Sequence, residues 1–192
     1  MPTEVTGARR RNEKSRVAIL TATRELLLEH GFDGLTIEAV AVRAGVGKQT
    51  IYRWWTSRPA LVTEVLIEIV GKIPRAVAHT EDLTLDLVAW ARNLAATLTA
   101  EQNLAMLRIL VAASLAHEDA AARLRIGFSA PLQETLKARL VAEGVGEPTA
   151  QAVADAIVGG IVYPILHEGQ AYSRCRAELT ARTVIKSLAP TP

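Results

Sequence analysis

The chain has 192 residues, of which 49% are hydrophobic, 22% are charged and 4% are aromatic, and its formal net charge at pH 7 is +2. Its single cysteine, Cys175, excludes an intrachain disulfide and suits a reducing compartment. The polar N-terminus lacks a signal peptide's apolar core. The longest apolar stretch, 150–166, is too short for a membrane span and is interrupted by Asp155 and Pro164. We therefore expect a cytoplasmic protein with no membrane span.

The charge is unevenly distributed along the chain. Residues 1–60 hold 10 Lys and Arg against 6 Asp and Glu, whereas residues 61–192 hold 12 against 14. A basic end of this kind indicates a surface that faces nucleic acid. Residues 1–14 include three consecutive arginines and form a basic N-terminal arm, which is either a disordered leader or a segment that lies along DNA.

The first predicted helix covers residues 15–30. Its apolar residues recur at helical spacing and define one buried face: Ile19, Ala22, Leu26 and Leu27. We expect Gly31 to end this helix and Phe32 to fold back into a small core.

The stretch 35–58 contains two short helical patterns separated by a glycine. The first pattern has an apolar stripe at i, i+3, i+4 and i+7, made of Ile37, Val40, Ala41 and Ala44. Thr36 is its candidate N-cap, and Gly45 stands where a left-handed residue usually stops a helix.

The second pattern begins near Gly47 and is predicted to run through Trp55. Ile51 and Trp55 form its inward face, and the opposite stripe is Gln49, Tyr52, Arg53 and Thr56. These polar groups can hydrogen-bond base edges and phosphates in a DNA major groove. The pattern predicts a helix-turn-helix with residues 47–55 as its recognition helix.

The sequence GVGKQT at 45–50 resembles the end of a phosphate-binding P-loop. That pattern requires Ser or Thr where this chain has Gln49, and a glycine where it has Val42. No strand-like segment precedes it, so the P-loop interpretation is not supported.

After the recognition helix, Ser57 can cap a fourth helix with Pro59 in its first turn. Its apolar face is predicted to be Val62, Val65, Leu66 and Ile69, and we expect the helix to break at Gly71 and Pro74.

Residues 15–66 resemble the N-terminal domain of the TetR/AcrR family of bacterial transcriptional regulators, because helix, turn, aromatic cluster and next helix all align. The resemblance implies a homodimer that binds palindromic double-stranded operator DNA, with a divergent C-terminal domain that senses a small molecule. It assigns the DNA-facing positions to Lys48, Gln49, Thr50, Tyr52, Arg53 and Trp54, with Thr36 and Arg58 on the DNA backbone.

The chain departs from the family pattern in two ways. Members often carry His or Tyr and then Phe where this chain has Trp54 and Trp55, so Trp54 faces either DNA or the core. Gly47 replaces a Ser cap, which costs only about a few tenths of a kcal/mol.

The remainder is Ala- and Leu-rich and is predicted to be helical at 82–99, 103–117, 119–143, 148–167 and 174–188, with Pro131 dividing or kinking the third. We therefore predict an all-α fold of about nine helices: a three-helix DNA-binding domain followed by a helical bundle. The predicted boundaries are an arm at 1–14, a helix-turn-helix domain at 15–57, a connecting helix at 58–74 and an effector-binding and dimerisation domain at 75–192.

The helix predicted at 148–167 is apolar on more than one face, so it must be buried on more than one side. One side could pack inside the chain and another against a second subunit. The predicted dimer contacts are Ala152, Ala156 and Gly160 on this helix and Val184 and Ile185 on the last.

A pocket for a largely apolar effector is predicted from aromatic residues, Met and a few polar anchors: Trp90, Met106, Phe128, Tyr163 and His167. The scattered histidines lack metal-ligand spacing, and no catalytic motif is present, so we predict no metal, cofactor or enzymatic activity. Two hypotheses remain open: a repressor or activator that binds operator DNA, and a small-molecule binding protein without operator function.

Overall fold

The computed structural model describes the backbone of residues 3–70 and 76–188, and the side chains from Asn12 onward except those of residues 66, 67, 69 and 70. The helices are α1 (Thr3–Gly34), α2 (Ile37–Ala44), α3 (Lys48–Tyr52), α4 (Arg58–Val70), α5 (Leu83–Leu98), α6 (Glu101–Ala116), α7 (Glu118–Leu124), α8 (Ala130–Ala142), α9 (Glu147–Glu168) and α10 (Arg174–Lys186). A π-helical turn (Arg125–Ser129) joins α7 to α8, and a short 3-10 turn (Gly169–Ala171) follows α9. The described part of the chain contains no strand, and the predicted all-α fold is confirmed.

Helix α1 begins earlier than the sequence pattern indicated. Its backbone is helical from Thr3, within the stretch that we predicted to be a basic arm, because Ala, Arg, Glu and Lys make up much of that stretch and favour a helix. The side chains of the arginines at 9–11 lie outside the described residues. At Gly31 the backbone leaves the helix, with φ 70° and ψ −174°, as the predicted stop requires.

The chain folds into two compact units. The first unit is Met1–Ile67 together with Ile109–Leu124, and the second is Glu68–Arg108 together with Arg125–Pro192. The predicted division at residue 75 placed all of α6 and α7 in the C-terminal domain. Within the first unit, however, His117 Nε2 lies 3.0 Å from Asp33 Oδ1, and the His117 ring centroid lies 5.6 Å from that of Phe32. These contacts join α7 and the end of α6 to the chain that follows Gly31.

The first unit is built on fully buried aliphatic side chains from α1, α2, α3, α4 and the link between α1 and α2. They are Ile19, Leu20, Leu27, Leu35, Val40, Ile51 and Leu61. An ion pair between Arg16 and Glu64 joins α1 to α4. The predicted break at 71 and 74, and the side chains of Leu66 and Ile69, lie outside the described residues.

The second unit is organised around α9, which packs against α5, α8 and α10. Its buried residues are Ala150, Val153, Ala154, Ile157, Val158, Ile161 and Ile165. The helix extends over 22 residues with Pro164 inside it, so our expectation that this stretch is too short to cross a membrane is wrong as to length. Its packing on three helices of the same chain is what the core helix of a globular domain shows.

The predicted helix at 119–143 is divided, as Pro131 required. The π-helical turn directly precedes α8, and Pro131 lies in the first turn of α8, a position that proline tolerates. Gly127 and Phe128 are buried in this wide turn, whereas Ile126 is exposed.

A buried ion pair fixes the chain before α5. Arg139 Nη2 lies 3.0 Å from Asp86 Oδ2 and also donates to the carbonyl of Thr80 at 3.1 Å. The Thr80 N–H and hydroxyl donate to the two Asp86 oxygens at 2.9 and 2.8 Å. Burial opposes ionisation of Asp86, but the hydrogen bonds from Thr80 and Arg139 and the charge of Arg139 outweigh it and hold the Asp86 pKa below its usual value.

We predict that Arg139→Met destabilises the protein several times more than Arg92→Met. The first substitution leaves Asp86 buried without its counter-charge, whereas the exposed pair Arg92–Glu178 contributes less than about 1 kcal/mol. Urea unfolding at pH 7 measures the difference, and equal losses would contradict it.

The Asp86–Arg139 ion pair also predicts that the free energy of unfolding depends on pH. Because folding lowers the pKa of Asp86, the ionised carboxylate stabilises the folded protein fully above its pKa in the unfolded chain, about 3.9. This stabilisation is lost as the pH falls through the lower pKa of the folded state. The difference in unfolding free energy between wild type and Arg139→Met should therefore shrink below about pH 4.

Candidate nucleic-acid interface

The turn between α2 and α3 is set by local hydrogen bonds. The Thr36 hydroxyl accepts from the Ala39 N–H at 3.1 Å and caps α2, as predicted. Gly45 has φ 65° and ψ 35°, and the N–H of Val46 donates to the Ala41 carbonyl at 3.0 Å. This left-handed stop turns the chain directly into α3.

Helix α3 is shorter than the predicted recognition helix. It starts after Gly47, which caps it without a side chain, and ends at Tyr52 instead of Trp55. Residues 53–55 continue as a turn, with the Trp55 N–H donating to the Ile51 carbonyl at 2.9 Å. The next helix, α4, begins six residues after Tyr52, at Arg58. Ile51 and Trp55 are buried, as predicted for the inward face.

The opposite side of α3 and of the turn after it faces outward. Tyr52 is 51% exposed and Trp54 is 40% exposed, and Lys48, Gln49 and Arg53 are also exposed. Thr50 is half-buried. Of the two orientations considered for Trp54, the structure shows the outward one. The centroid of its ring lies 6.2 Å from that of Trp55.

Both cations of this surface have partners outside α3. Lys48 Nζ pairs with Glu38 at the start of α2, and this hydrogen bond lowers the pKa of the Glu38 carboxyl. Arg53 Nη2 donates to Asn12 Oδ1 on α1 at 2.8 Å. The sequence pattern indicated neither Glu38 as the partner of Lys48 nor Asn12 as the partner of Arg53. Asn12 is 41 positions from Arg53 along the chain, so no local pattern marks that contact.

Thr36 and Arg58, the predicted contacts to the DNA backbone, are already used inside the first unit. Thr36 caps α2. Arg58 is half-buried: its Nη1 donates to the Leu35 carbonyl at 3.0 Å, and its guanidinium lies 4.6 Å from the centroid of the Phe32 ring. Both residues therefore shape the surface, whatever they contribute to binding.

The predicted effector residues are not brought together. Trp90, Met106 and Phe128 are buried in the core of the second unit, whereas Tyr163 and His167 are exposed on α9 with ring centroids 4.6 Å apart. An open groove of about 520 Å³ in this unit lies between residues 76–79 and α8. Its lining includes His79, Pro131, Glu134 and Thr135 and none of the five predicted residues.

The predicted dimer contacts differ in their exposure. Ala152 and Ala156 are exposed, and Val184 and Ile185 are half-buried. Gly160 differs, because a Cβ there would lie 2.9 Å from Thr180 Cγ2 of the same chain. The prediction for Gly160 is corrected accordingly: its close neighbour is α10 of its own subunit, and the adjacent Gly159 is the open position.

Comparison with known proteins agrees with this geometry. Residues 19–65 match the bacterial regulatory proteins of the tetR family. The chain is 33% identical over 173 residues to the uncharacterized HTH-type transcriptional regulator YdeS of Bacillus subtilis, covering 84% of this chain and 83% of that protein. It is 30% identical over 79 residues to the DNA-binding transcriptional repressor TetR of Mycobacteroides abscessus, covering 41% of this chain and 42% of that protein.

A solved structure shares the whole fold. NalD of Pseudomonas aeruginosa, the secondary repressor of the MexAB-OprM multidrug efflux pump, superposes with a TM-score of 0.65 at 20% identity, over 91% of this chain and 96% of that one. The helix-turn-helix and its exposed polar stripe define a DNA-binding transcriptional regulator. The chain belongs to the TetR family of bacterial regulatory proteins, whose members are regulators and not enzymes.

We predict that Gly45→Ala destabilises the first unit by about 1–2 kcal/mol, because an L-residue pays that cost in the left-handed region. A Cβ at Gly45 would meet nothing within 4 Å, so the effect is conformational and not steric.

Gly47→Ser is the matched control. Gly47 has φ −76° and equally open surroundings, so a Ser there should stabilise α3 by about a few tenths of a kcal/mol. Thermal unfolding measures both variants, and a neutral Gly45→Ala would contradict the assigned stop.

Proposed function

We propose that the protein is a repressor that binds palindromic operator DNA as a homodimer and is released by a small, largely apolar ligand. The observation that carries the DNA-binding part is the exposed stripe of α3, presented by a capped helix-turn-helix. Arg53 and Gln49 offer bidentate donors and acceptors to base edges, and Lys48 and Tyr52 offer donors to phosphates. The name of the Mycobacteroides abscessus relative supports repression as the sign of regulation.

The proposed base contact predicts that Arg53→Ala weakens operator binding by up to about a hundredfold, since a bidentate base contact is worth about 1–3 kcal/mol. Tyr52→Phe should cost less, because it removes only a hydroxyl. The probe is a duplex selected from a random library by the wild-type protein, and mobility shifts give the affinities.

Arg125→Ala is the control for Arg53→Ala. It removes the same charge from an exposed position of the second unit and should leave operator binding near the wild-type value. Wild-type affinity in Arg53→Ala would refute the role of α3.

Dimerisation is supported by the outward side of α9. Ala152, Ala156, Gly159 and Tyr163 recur at i, i+4, i+7 and i+11, and all four are exposed. Small side chains let a second helix approach closely, and on α10 Leu179 is 63% exposed. A palindromic operator is read by a protein with two-fold symmetry, so we propose that α9 and α10 of two subunits form a four-helix interface.

Substitutions at the two neighbouring glycines of α9 test dimerisation and folding separately. Gly159→Leu should yield folded monomers, because the new side chain projects where nothing lies within 4 Å in the chain. Gly160→Leu should lower the melting temperature, because it collides with Thr180. Sedimentation and thermal unfolding distinguish them, and a stable Gly159→Leu dimer would move the interface elsewhere.

Release by an effector requires a ligand that binds the DNA-incompetent conformation more tightly than the competent one. We place its site in the second unit, whose core holds Trp90, Met106 and Phe128. Since these side chains are already buried, a ligand must displace core packing to reach them. That displacement is a source of the conformational change that release needs. Acting on operator DNA, the protein would work in the cytoplasm.

A further inference from the structure

Arg53 is hydrogen-bonded to a residue that precedes the helix-turn-helix by many positions in the sequence. Its Nη2 donates to Asn12 Oδ1 at 2.8 Å, and both side chains are exposed. An exposed arginine normally samples many rotamers, and fixing it on a ligand costs conformational entropy. A tether formed before DNA arrives removes part of that cost.

The tether leaves the guanidinium able to read a base. A guanidinium carries five N–H donors in a planar fork, and Asn12 accepts only one of them. The remaining N–H of Nη2 and one N–H of Nη1 can still form the parallel pair that binds O6 and N7 of guanine. The Asn12 amide nitrogen also keeps its own N–H groups.

The chemistry of the two partners on this surface differs. Glu38 neutralises Lys48, so this salt bridge competes with any phosphate for the lysine. Asn12 carries no charge, so it orients Arg53 without reducing the positive charge offered to DNA. The Asn12 amide therefore orients the arginine without changing its charge, whereas the Glu38 carboxylate offsets the charge of the lysine.

We propose that Asn12 is a positioning residue for Arg53 and sets the protein's preference at the base pair that Arg53 reads in each half-site. This inference rests on the proposed function, in which Arg53 contacts a base. Asn12 lies on α1, outside the helix-turn-helix, so the specificity of this protein depends on a residue that belongs to neither α2 nor α3.

The test is a double-mutant cycle of Asn12→Ala and Arg53→Ala. The probes are the duplex selected by the wild-type protein and a shuffled duplex of the same composition. Asn12→Ala should weaken binding to the selected duplex about 2–10-fold, the range for one net hydrogen bond, and weaken binding to the shuffled duplex less. In the Arg53→Ala background, Asn12→Ala should have no further effect.

Asn12→Asp is the conservative variant. It keeps the acceptor oxygen and adds a negative charge, so affinity for both duplexes should fall while the ratio between them stays near the wild-type value. An unchanged melting temperature in all variants shows that the fold is intact, as expected for two exposed side chains.

The outcomes separate the two proposals. Undiminished operator binding by Arg53→Ala would overturn the proposed role of α3 itself. If Arg53→Ala does weaken binding, the positioning role is overturned by any of three results. These are no effect of Asn12→Ala, an equal effect in both backgrounds, or a ratio for Asn12→Asp as low as that for Asn12→Ala.

Discussion

The proposed DNA-facing surface depends on the burial of Ile51 and Trp55. Helix α3 has five residues, far fewer than the roughly 12–15 at which an isolated helix becomes even marginal in water. Its conformation must therefore come from tertiary packing, and Ile51 and Trp55 supply it by filling the core of the first unit. Because they lie on one side of α3 and its following turn, Gln49, Tyr52 and Arg53 are left on the other.

The features that sequence predicted best are those governed by neighbouring residues. The Thr36 cap, the Gly45 stop and the Gly31 break each depend on backbone geometry within a few positions, so residue type alone indicated them. The outward position of Trp54 was undecidable for the opposite reason. The i+4 spacing from Ile51 predicts that Trp55 faces inward, whereas Trp54 lies on neither stripe of the helical pattern, and the turn after α3 leaves it exposed.

Sequence failed where the controlling contact is long-range. The grouping of residues 109–124 with the first unit depends on His117 meeting Phe32 and Asp33, and nothing in an Ala- and Leu-rich stretch marks that pairing. The Gly160 prediction was wrong for a related reason. A helix that is apolar on more than one face gives no periodic signal to show which face meets its own chain, so Gly160 was grouped with the exposed Ala152 and Ala156.

The π-helical turn at Arg125–Ser129 separates the length of this segment from the direction in which α8 faces. Each residue of an α-helix advances the direction of the side chain by about 100°, and a π turn absorbs one residue beyond the regular count. A deletion of one codon at the exposed Arg125 or Ile126 would therefore leave a regular helix whose buried face, with Leu136 and Arg139, keeps nearly the same direction. An insertion of one codon would instead rotate that face by about 100°. The segment should therefore tolerate the loss of one residue better than the gain of one.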